Sequence, residues 1–219
     1  MAKQFVVIGL GRFGGSVTRT LIELGHEVMA IDSNARRVQE FSSIVQHIYQ
    51  ADSTDEQVLK ELGVRNCEHA IVAIGEDIQA SILTSLILKD LGIKKVTAKA
   101  VNDYHSRVLE KIGVDHVVHP ERDTGIRVAH QLNSNNLIDF TEITADFSLV
   151  EVSSFASMHG KTLKQLNIRA RYGCTIVAIK KPDNKVIVSP NAEDKIHTGD
   201  ILIIIGSNKQ IHYFEGNYE

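Results

Sequence analysis

The 219-residue sequence contains only two cysteines and three prolines, has no tryptophan, and lacks an apolar run long enough to cross a membrane. Cys67 and Cys174 are far apart and have no C-x-x-C spacing, which argues against a disulfide framework and against a thiolate metal site. A bilayer-spanning helix needs about 18 apolar residues, and no apolar leader of signal-peptide length precedes the first predicted strand. We therefore expect a cytoplasmic protein with reduced thiols.

A surplus of positive charge is also missing. The chain has 24 basic and 27 acidic residues and a formal net charge of -3. Proteins that bind nucleic acid usually show a basic surplus and a groove-reading element, so we expect no nucleic-acid partner. No nucleophile with an adjacent base can be identified, and the ten histidines form no catalytic grouping. The sequence therefore predicts no enzyme activity.

The most informative motif is a glycine turn near the N-terminus. The apolar run Phe5–Ile8 predicts a buried strand, and Gly9, Gly11 and Gly14 follow it with G-x-G-x-x-G spacing. Gly9 allows a sharp turn, Gly11 allows close approach to a phosphate, and Gly14 allows close packing of helix on strand. The helix that follows has a predicted apolar face of Val17, Leu21, Ile22 and Leu24. Its N-terminal N–H groups and dipole would face bound phosphates.

A second apolar run, Glu27–Ile31, ends in Asp32. This acid lies about 20 residues after the glycine turn, where the nucleotide-binding fingerprint places the carboxylate that holds ribose hydroxyls. An acid here disfavours the 2′-phosphate of NADP and leaves NAD, ATP and ADP as alternatives. Glycine turns also occur without a ligand, but strand, turn, helix, strand and acid in this order predict a nucleotide site. Arg12 could reach the terminal phosphates, or lie in solvent.

The next part of the chain alternates strands with amphipathic helices. The predicted strands are His47–Gln50, Ala70–Ile74, Lys95–Ala100 and His116–His119, and the predicted helices cover residues 33–41, 55–62, 77–91, 104–112 and 122–132. This alternation predicts an α/β fold, a Rossmann-like parallel sheet with helices on both faces. Ligands of such sheets lie beyond the carboxyl ends of the strands. The rule adds these loop positions to the glycine turn and Asp32: Asp52, Ser53, Ile74, Gly75, Lys99, Pro120 and Glu121.

Several of these positions have two interpretations. Asp52 could accept from the adenine edge, but Asp52 or Ser53 could equally cap the next helix, as could Thr54. Lys99 could meet phosphate or a carboxylate, or simply be exposed. A carboxylate that faces nucleotide phosphates usually needs a divalent cation between them, which makes Glu121 a candidate cation ligand.

The pair His116 and His119 resembles a metal-ligand spacing. Residues three apart on a strand point to opposite faces, so the two rings do not readily share an ion.

The last third of the chain has a different periodicity. After the polar run Asn133–Asn136, strands are predicted at Phe147–Val152, Thr175–Lys180, Val186–Val188 and Ile201–Ile205. These form a small β-rich unit of about 75 residues with α+β character. We place a nucleotide-binding domain at residues 1–138 and a regulatory lobe at residues 139–219.

With these motifs the chain resembles the RCK family, the regulators of potassium conductance, and within it the gating subunits of Ktr- and Trk-type potassium uptake systems. The resemblance covers essentially the whole chain. Its most specific stretches are residues 7–14, 72–75, 78–81, 108–113, 119–121, 169–174 and 199–200.

The resemblance implies a regulatory subunit without catalytic activity that binds ATP or ADP, with NAD or NADH also found in the family. It implies homodimers that form a homo-octameric ring on an integral membrane potassium transporter, at the inner face of the membrane, with ATP favouring the active transporter. The implied nucleotide contacts are Gly9, Gly11, Arg12, Phe13, Gly14, Asp32, Ser33, Asp52, Ser53, Ile74, Gly75 and Lys99, and Glu121 would bind a divalent cation near the γ-phosphates.

In some relatives the C-terminal lobe is a receptor for cyclic di-AMP, which binds between two lobes of a dimer and lowers potassium uptake. The matching positions are Leu163, Asn167, Ile168, Arg169, Ile176 and Pro190. The apolar side chains among them would pack on adenine, while Asn167 and Arg169 would donate to phosphate. An ordinary lobe core with one surface arginine is the alternative.

Two other functions fit a nucleotide-binding fold. A small NAD-dependent oxidoreductase needs a second domain that delivers substrate, and the β-rich unit is small for that task. A repressor that senses NAD and NADH needs a DNA-binding element, and the sequence shows no helix-turn-helix candidate.

Overall fold

The computed structural model describes residues 2–134 and 136–217. The chain separates into two compact units, one ending at Arg122 and the other beginning at Asp123. The domain boundary that we place at residue 138 stays a prediction. Within the described residues, no helix has the length and apolar character needed to cross a membrane.

The first unit contains a six-stranded parallel sheet in the order β3-β2-β1-β4-β5-β6. The strands are β1 (Gln4–Ile8), β2 (Glu27–Asp32), β3 (His47–Gln50), β4 (His69–Val72), β5 (Lys95–Lys99) and β6 (His116–Val118). Each neighbouring pair is parallel. The predicted Rossmann-like α/β fold is therefore confirmed.

Helices connect these strands. They are α1 (Arg12–Glu23), α2 (Ala35–Phe41), α3 (Glu56–Glu61), α4 (Ile78–Asp90) and α5 (Asp103–Lys111). A further helix, α6 (Pro120–Asn133), follows β6, the last strand of this sheet. Strand residues alternate between two cores: Val6 and Ile8 pack in one cluster, and Val7 packs in another beneath Val17 and Leu21 of α1. Leu24 departs from the predicted apolar face, because it follows the last residue of α1 and is 67% exposed.

Helix capping differs from our expectation at α3. Neither Asp52, Ser53 nor Thr54 caps this helix. Instead the Asp55 carboxylate accepts hydrogen bonds from the N–H groups of Gln57, at 2.9 Å, and of the following residue. The structure therefore leaves the earlier residues available for other contacts at the end of β3.

The second unit contains a five-stranded antiparallel sheet in the order β10-β9-β11-β8-β7. Its strands are β7 (Leu137–Thr144), β8 (Phe147–Ser153), β9 (Thr175–Lys180), β10 (Val186–Val188) and β11 (Ile201–Ser207), and its helices are α7 (Leu163–Leu166), α8 (Ile168–Tyr172) and α9 (Asn208–Gly216). The predicted small β-rich lobe is confirmed, but β7 and the three helices are absent from our prediction. The β7 sequence has little apolar alternation, and its residues are mostly half-buried or exposed.

Candidate functional site

A cavity of about 750 Å³ opens at the carboxyl ends of the parallel strands. It is lined by twelve of the residues that the sequence nominates: Gly9, Gly11, Arg12, Phe13, Asp32, Ser33, Asp52, Ser53, Ile74, Gly75, Lys99 and Glu121. Pockets for small molecules typically measure about 300–1,000 Å³, so a nucleotide-sized ligand fits. The fold thus brings together residues that are more than 100 positions apart in the chain.

The glycine turn leads into the first turn of α1, whose residues line this cavity. Gly9 has a φ of +95° and its N–H donates to the Ile31 carbonyl at 2.8 Å. Gly11 is the N-cap of α1 and offers no side-chain oxygen to the first turn, whereas the Asp77 carboxylate caps α4. The N-terminus of α1 therefore keeps N–H groups and the positive end of its dipole free for an anion.

Gly14 does not line the cavity. It is buried, and a Cβ at this position would collide with the Gly9 carbonyl oxygen and the Ala73 side chain. The structure thus gives this glycine the packing role that the fingerprint predicts, rather than a surface that a phosphate can touch directly.

Asp32 is almost fully buried at the end of β2, with 5% of its surface exposed. One carboxylate oxygen accepts from the Leu10 N–H at 2.6 Å, and the other accepts from the Asn34 N–H at 2.8 Å. The guanidinium of Arg37 lies 3.6 Å from the first oxygen. The acid that the fingerprint assigns to ribose therefore also holds the glycine turn in place.

A charged cluster of Arg12, Lys99 and Glu121 forms another part of the lining. The Lys99 ammonium lies 2.6 Å from the Glu121 carboxylate, and its side chain is only 13% exposed. The hydrogen bond from Lys99 lowers the pKa of Glu121, and the charge of Arg12 lowers this pKa further. Lys99 is therefore not a freely exposed lysine, and Glu121 lies in the first turn of α6 rather than in a loop.

Asp52 and Ser53 lie at the end of β3 on the same cavity. The Asp52 carboxylate accepts from both the N–H and the hydroxyl of Thr54, and these hydrogen bonds lower the pKa of Asp52. The buried Ser53 hydroxyl pairs with the hydroxyl of Thr84 at 2.8 Å. Asp52 remains exposed to a ligand, whereas Ser53 mainly ties the loop to α4.

His116, the first residue of β6, and His119, which follows the strand, do not converge. His119 pairs with the hydroxyl of Ser106 at 3.2 Å, and His116 is exposed at the other end of the strand. Across the described part of the chain, no three His, Cys, Asp or Glu side chains are grouped so that they could hold a metal ion. Both cysteine thiols are buried, which raises the pKa of Cys67 and of Cys174 to about 11.

The cavity is also lined by three residues that the sequence motifs do not nominate for it, namely Arg37, Thr54 and Glu76. Arg37 follows the Asn34 N-cap by three residues, so the sequence does indicate that Arg37 lies in the first turn of α2, near the end of β2. Whether its side chain turns toward the cavity or into solvent depends on helix orientation, which local sequence does not encode.

The residues nominated in the second unit are dispersed over α7, α8 and β9 and the segment that follows β10. Leu163 and Ile176 are half-buried against the core of this unit, and Ile168 belongs to that core with 5% exposure. Asn167 and Arg169 are exposed. The Leu163 N–H donates to the Asp194 carbonyl, so α7 lies beside the segment after Pro190.

The first unit has a Rossmann-type fold with a cavity of nucleotide size at the carboxyl ends of its strands, and the second unit is a small antiparallel lobe. The TrkA-N domain family matches residues 5–120 of the chain, and the TrkA-C domain family matches residues 147–217. The chain therefore belongs to the TrkA-N domain family and also carries a TrkA-C domain, and the predicted resemblance to the RCK family is confirmed.

Curated relatives match nearly end to end. The chain is 56% identical to the Ktr system potassium uptake protein C of Bacillus subtilis (strain 168) over 215 residues, which cover 98% of this chain and 97% of that protein. It is 46% identical to the Ktr system potassium uptake protein A of the same organism, over 97% and 96% of the two chains. The predicted resemblance to Ktr regulatory subunits is confirmed, and with it the expectation that the protein is not an enzyme.

Solved structures support the same fold. A GsuK channel bound to NAD is 23% identical, with a TM-score of 0.53, over 99% of this chain and 38% of that chain. A GsuK structure bound to ADP is 17% identical, with a TM-score of 0.51, over 57% of this chain and 33% of that chain. At these identities the comparison establishes the fold.

Proposed function

We propose that this protein is the cytoplasmic regulatory subunit of a potassium uptake transporter and that ATP and ADP, bound in the cavity of the first unit, gate the transporter. The observation that carries this proposal is the end-to-end match to Ktr potassium uptake proteins, at 56% identity for one of them. The cavity supports it, because a nucleotide regulator needs a phosphate-binding turn and a ribose-binding acid.

The lining supplies what each part of a nucleotide requires. The open N-terminus of α1 and the cations of Arg12 and Lys99 would receive the phosphates, and Asp32 would accept from the ribose hydroxyls. Asp52 would lie at the adenine end. NAD or NADH is the alternative ligand, since one of the GsuK neighbours is a complex with NAD.

A nucleotide can gate a transporter without covalent chemistry. If ATP and ADP have different affinities for two conformations of the assembly, their exchange shifts the population, and the transporter must in turn change nucleotide affinity. A divalent cation at Glu121 fits this scheme, because its carboxylate keeps a low pKa beside Lys99 and would need a cation between itself and a γ-phosphate.

Assembly into homodimers and a homo-octameric ring beneath an integral membrane transporter is part of the proposal. Exposed apolar side chains on the helices of the first unit support it, since monomeric proteins rarely leave such patches uncovered. Those on α4 and α5 are Ile78, Leu83, Leu86, Tyr104 and Val108.

The second unit would bind cyclic di-AMP and thereby lower potassium uptake. Its support is the exposed pair Asn167 and Arg169 beside the half-buried Leu163, which together offer hydrogen-bond donors and an apolar surface. Ile168 contributes mainly to the core, and Ile176 and Pro190 lie on the neighbouring β9–β10 side.

Calorimetric titration of the full-length, nucleotide-stripped protein with ATP, ADP, NADH and cyclic di-AMP tests the proposal. We expect ATP and ADP to bind, and we expect Arg169→Ala to weaken cyclic di-AMP binding while ATP binding is retained. Potassium uptake by cells that depend on a Ktr-type membrane subunit should require the protein. Binding of NADH alone, with hydride transfer, would instead favour an oxidoreductase, and a DNA-shift result would favour a redox-sensing repressor.

A further inference from the structure

The ribose end of the cavity contains a guanidinium that the nucleotide fingerprint does not require. Arg37 lines the cavity, its side chain is 41% exposed, and its charged group lies 3.6 Å from the Asp32 carboxylate. Asp32 is its only ion-pair partner among the residues that the structure describes. The carboxylate is oriented by two further hydrogen bonds, because the N–H groups of Leu10 and Asn34 each donate to one of its oxygens.

An acid and an arginine at this position have opposite preferences. In Rossmann-type sites the acid after the second strand accepts from an unmodified ribose, whereas a nearby arginine accommodates a 2′-phosphate. Here both groups are present and paired. The pairing leaves the carboxylate able to accept from hydroxyl groups, and it directs part of the guanidinium charge away from a ligand.

We propose that Arg37 is a specificity-determining residue of the nucleotide site and that its pairing with Asp32 sets the discrimination between adenosine nucleotides with and without a 2′-phosphate. The inference rests on the proposed nucleotide site. While Asp32 is charged, Arg37 only reduces the repulsion of a 2′-phosphate; without that charge, Arg37 binds the 2′-phosphate directly.

The probes are adenosine 5′-monophosphate and adenosine 2′,5′-bisphosphate, which differ only in the 2′-phosphate. Their affinities are measured on the full-length protein by displacement of a fluorescent ADP analogue. We expect Arg37→Gln to worsen the binding of the bisphosphate relative to the monophosphate about fivefold, in line with a partly exposed ion pair. Monophosphate binding should change less than about twofold.

Arg36→Gln is the matched control. Arg36 is the neighbouring residue of α2, its side chain is 88% exposed, and it pairs with Glu40 at 3.1 Å instead of facing the cavity. This substitution removes the same net charge, so it corrects for long-range electrostatics. The ratio of the two affinities should stay at its wild-type value.

Substitution of Asp32 tests how Arg37 behaves without its ion-pair partner. Asp32→Asn should improve binding of the bisphosphate by about tenfold or more, as expected for a charge-assisted contact between guanidinium and phosphate. The double variant Asp32→Asn/Arg37→Gln should lose that gain. Because Asp32 also holds the glycine turn, its variants can misfold, and the exposed Arg37→Gln and Arg36→Gln pair then decides the question.

Equal affinity ratios in Arg37→Gln and Arg36→Gln would overturn the inference, as would a gain that persists in the double variant. If ADP binds the wild-type protein in either case, only the role of Arg37 fails. If neither ADP nor its fluorescent analogue binds, the proposed nucleotide site fails together with the inference.

Discussion

Arg12 is the first residue of α1, and its exposed side chain shares the cavity with Lys99 and Glu121. Its charge contributes to the low pKa of Glu121, which indicates that the guanidinium lies close to that carboxylate. We expect a terminal phosphate to be attracted to the same place.

Arg12→Ala should therefore weaken ATP binding about tenfold and ADP binding less than about threefold, because only ATP has a γ-phosphate for the Arg12 guanidinium to contact. Isothermal titration with each nucleotide measures the two losses. Arg65→Ala is the control, since Arg65 is exposed outside the cavity. Equal losses for ATP and ADP would show that Arg12 does not distinguish the γ-phosphate.

The turn between β1 and α1 separates two roles of glycine. A Cβ on Gly11 would meet no neighbouring atom and its φ is −67°, so an alanine fits the folded chain. A Cβ on Gly14 would collide with the Gly9 carbonyl. One glycine therefore faces a ligand, and the other allows the helix to approach the sheet.

Gly14→Ala should lower the free energy of unfolding by about 1–3 kcal/mol, the usual cost of overpacking. Gly11→Ala should leave stability within about 0.5 kcal/mol of wild type. It should nevertheless reduce ATP affinity, because the added methyl group obstructs the approach of a phosphate. Urea denaturation and ATP titration of both variants measure the two effects. A Gly14→Ala protein of unchanged stability would contradict the packing role.

The C-terminal helix α9 is held by buried aromatic packing. Phe214 is fully buried and meets the rings of Phe155 and Tyr172 edge-on, with centroids 5.8 and 5.5 Å away. The Ser207 side chain and Gln210 form a capping box at the start of the helix. The helix therefore depends on contacts with distant parts of its own unit as well as on its cap.

Phe214→Ala should destabilise the second unit by about 3–5 kcal/mol, as expected for truncation of a buried phenylalanine. Tyr213→Ala provides the matched comparison, because Tyr213 is the adjacent aromatic residue and is 58% exposed. Its cost should stay below about 1 kcal/mol. Thermal denaturation followed by circular dichroism compares the two, and similar costs would argue against the central place of Phe214 in the core.

For the molecule as a whole, two partly or fully buried histidines link stability to pH. Burial lowers the pKa of His69 and of His105, and the charges of neighbouring histidines lower both further. Near pH 6 the unfolded chain therefore binds more protons than the folded chain. The stabilisation that comes from keeping these histidines neutral is fully present above the ordinary histidine pKa. It is lost as the pH falls toward their lowered pKa values.

The urea concentration at the midpoint of denaturation should decrease as the pH is lowered from 7.5 to 5.5. His105→Asn should reduce that decrease, because it replaces a titratable ring with a neutral amide. The variant should still fold, since the asparagine oxygen can accept the hydrogen bond that the Val101 N–H donates to the ring. His47→Asn, at an exposed position, should not reduce it. Asp52 and Glu121 have lowered pKa values, so their contribution is lost at more acidic pH. An unchanged midpoint in the wild-type protein would contradict the linkage.

Much of the first unit could be predicted from local patterns. The spacing of apolar residues indicates which segments are strands and which are helices. The G-x-G-x-x-G turn followed by Asp32 indicates a strand, a tight turn, a helix and a second strand that ends in an acid. Parallel strands end at one edge of the sheet, so the position of the cavity followed from the order of the elements. Twelve of the nominated residues line it for this reason.

Side-chain direction and long-range packing could not be predicted in this way. The ion pair of Lys99 and Glu121 brings the end of β5 together with the first turn of α6. The ion pair of Arg37 and Asp32 depends on the orientation of α2. In the second unit, β7 is held by its pairing with β8 more than by an apolar pattern of its own. Local periodicity encodes where a segment buries its surface, whereas contacts between distant charges exist only once the chain has folded.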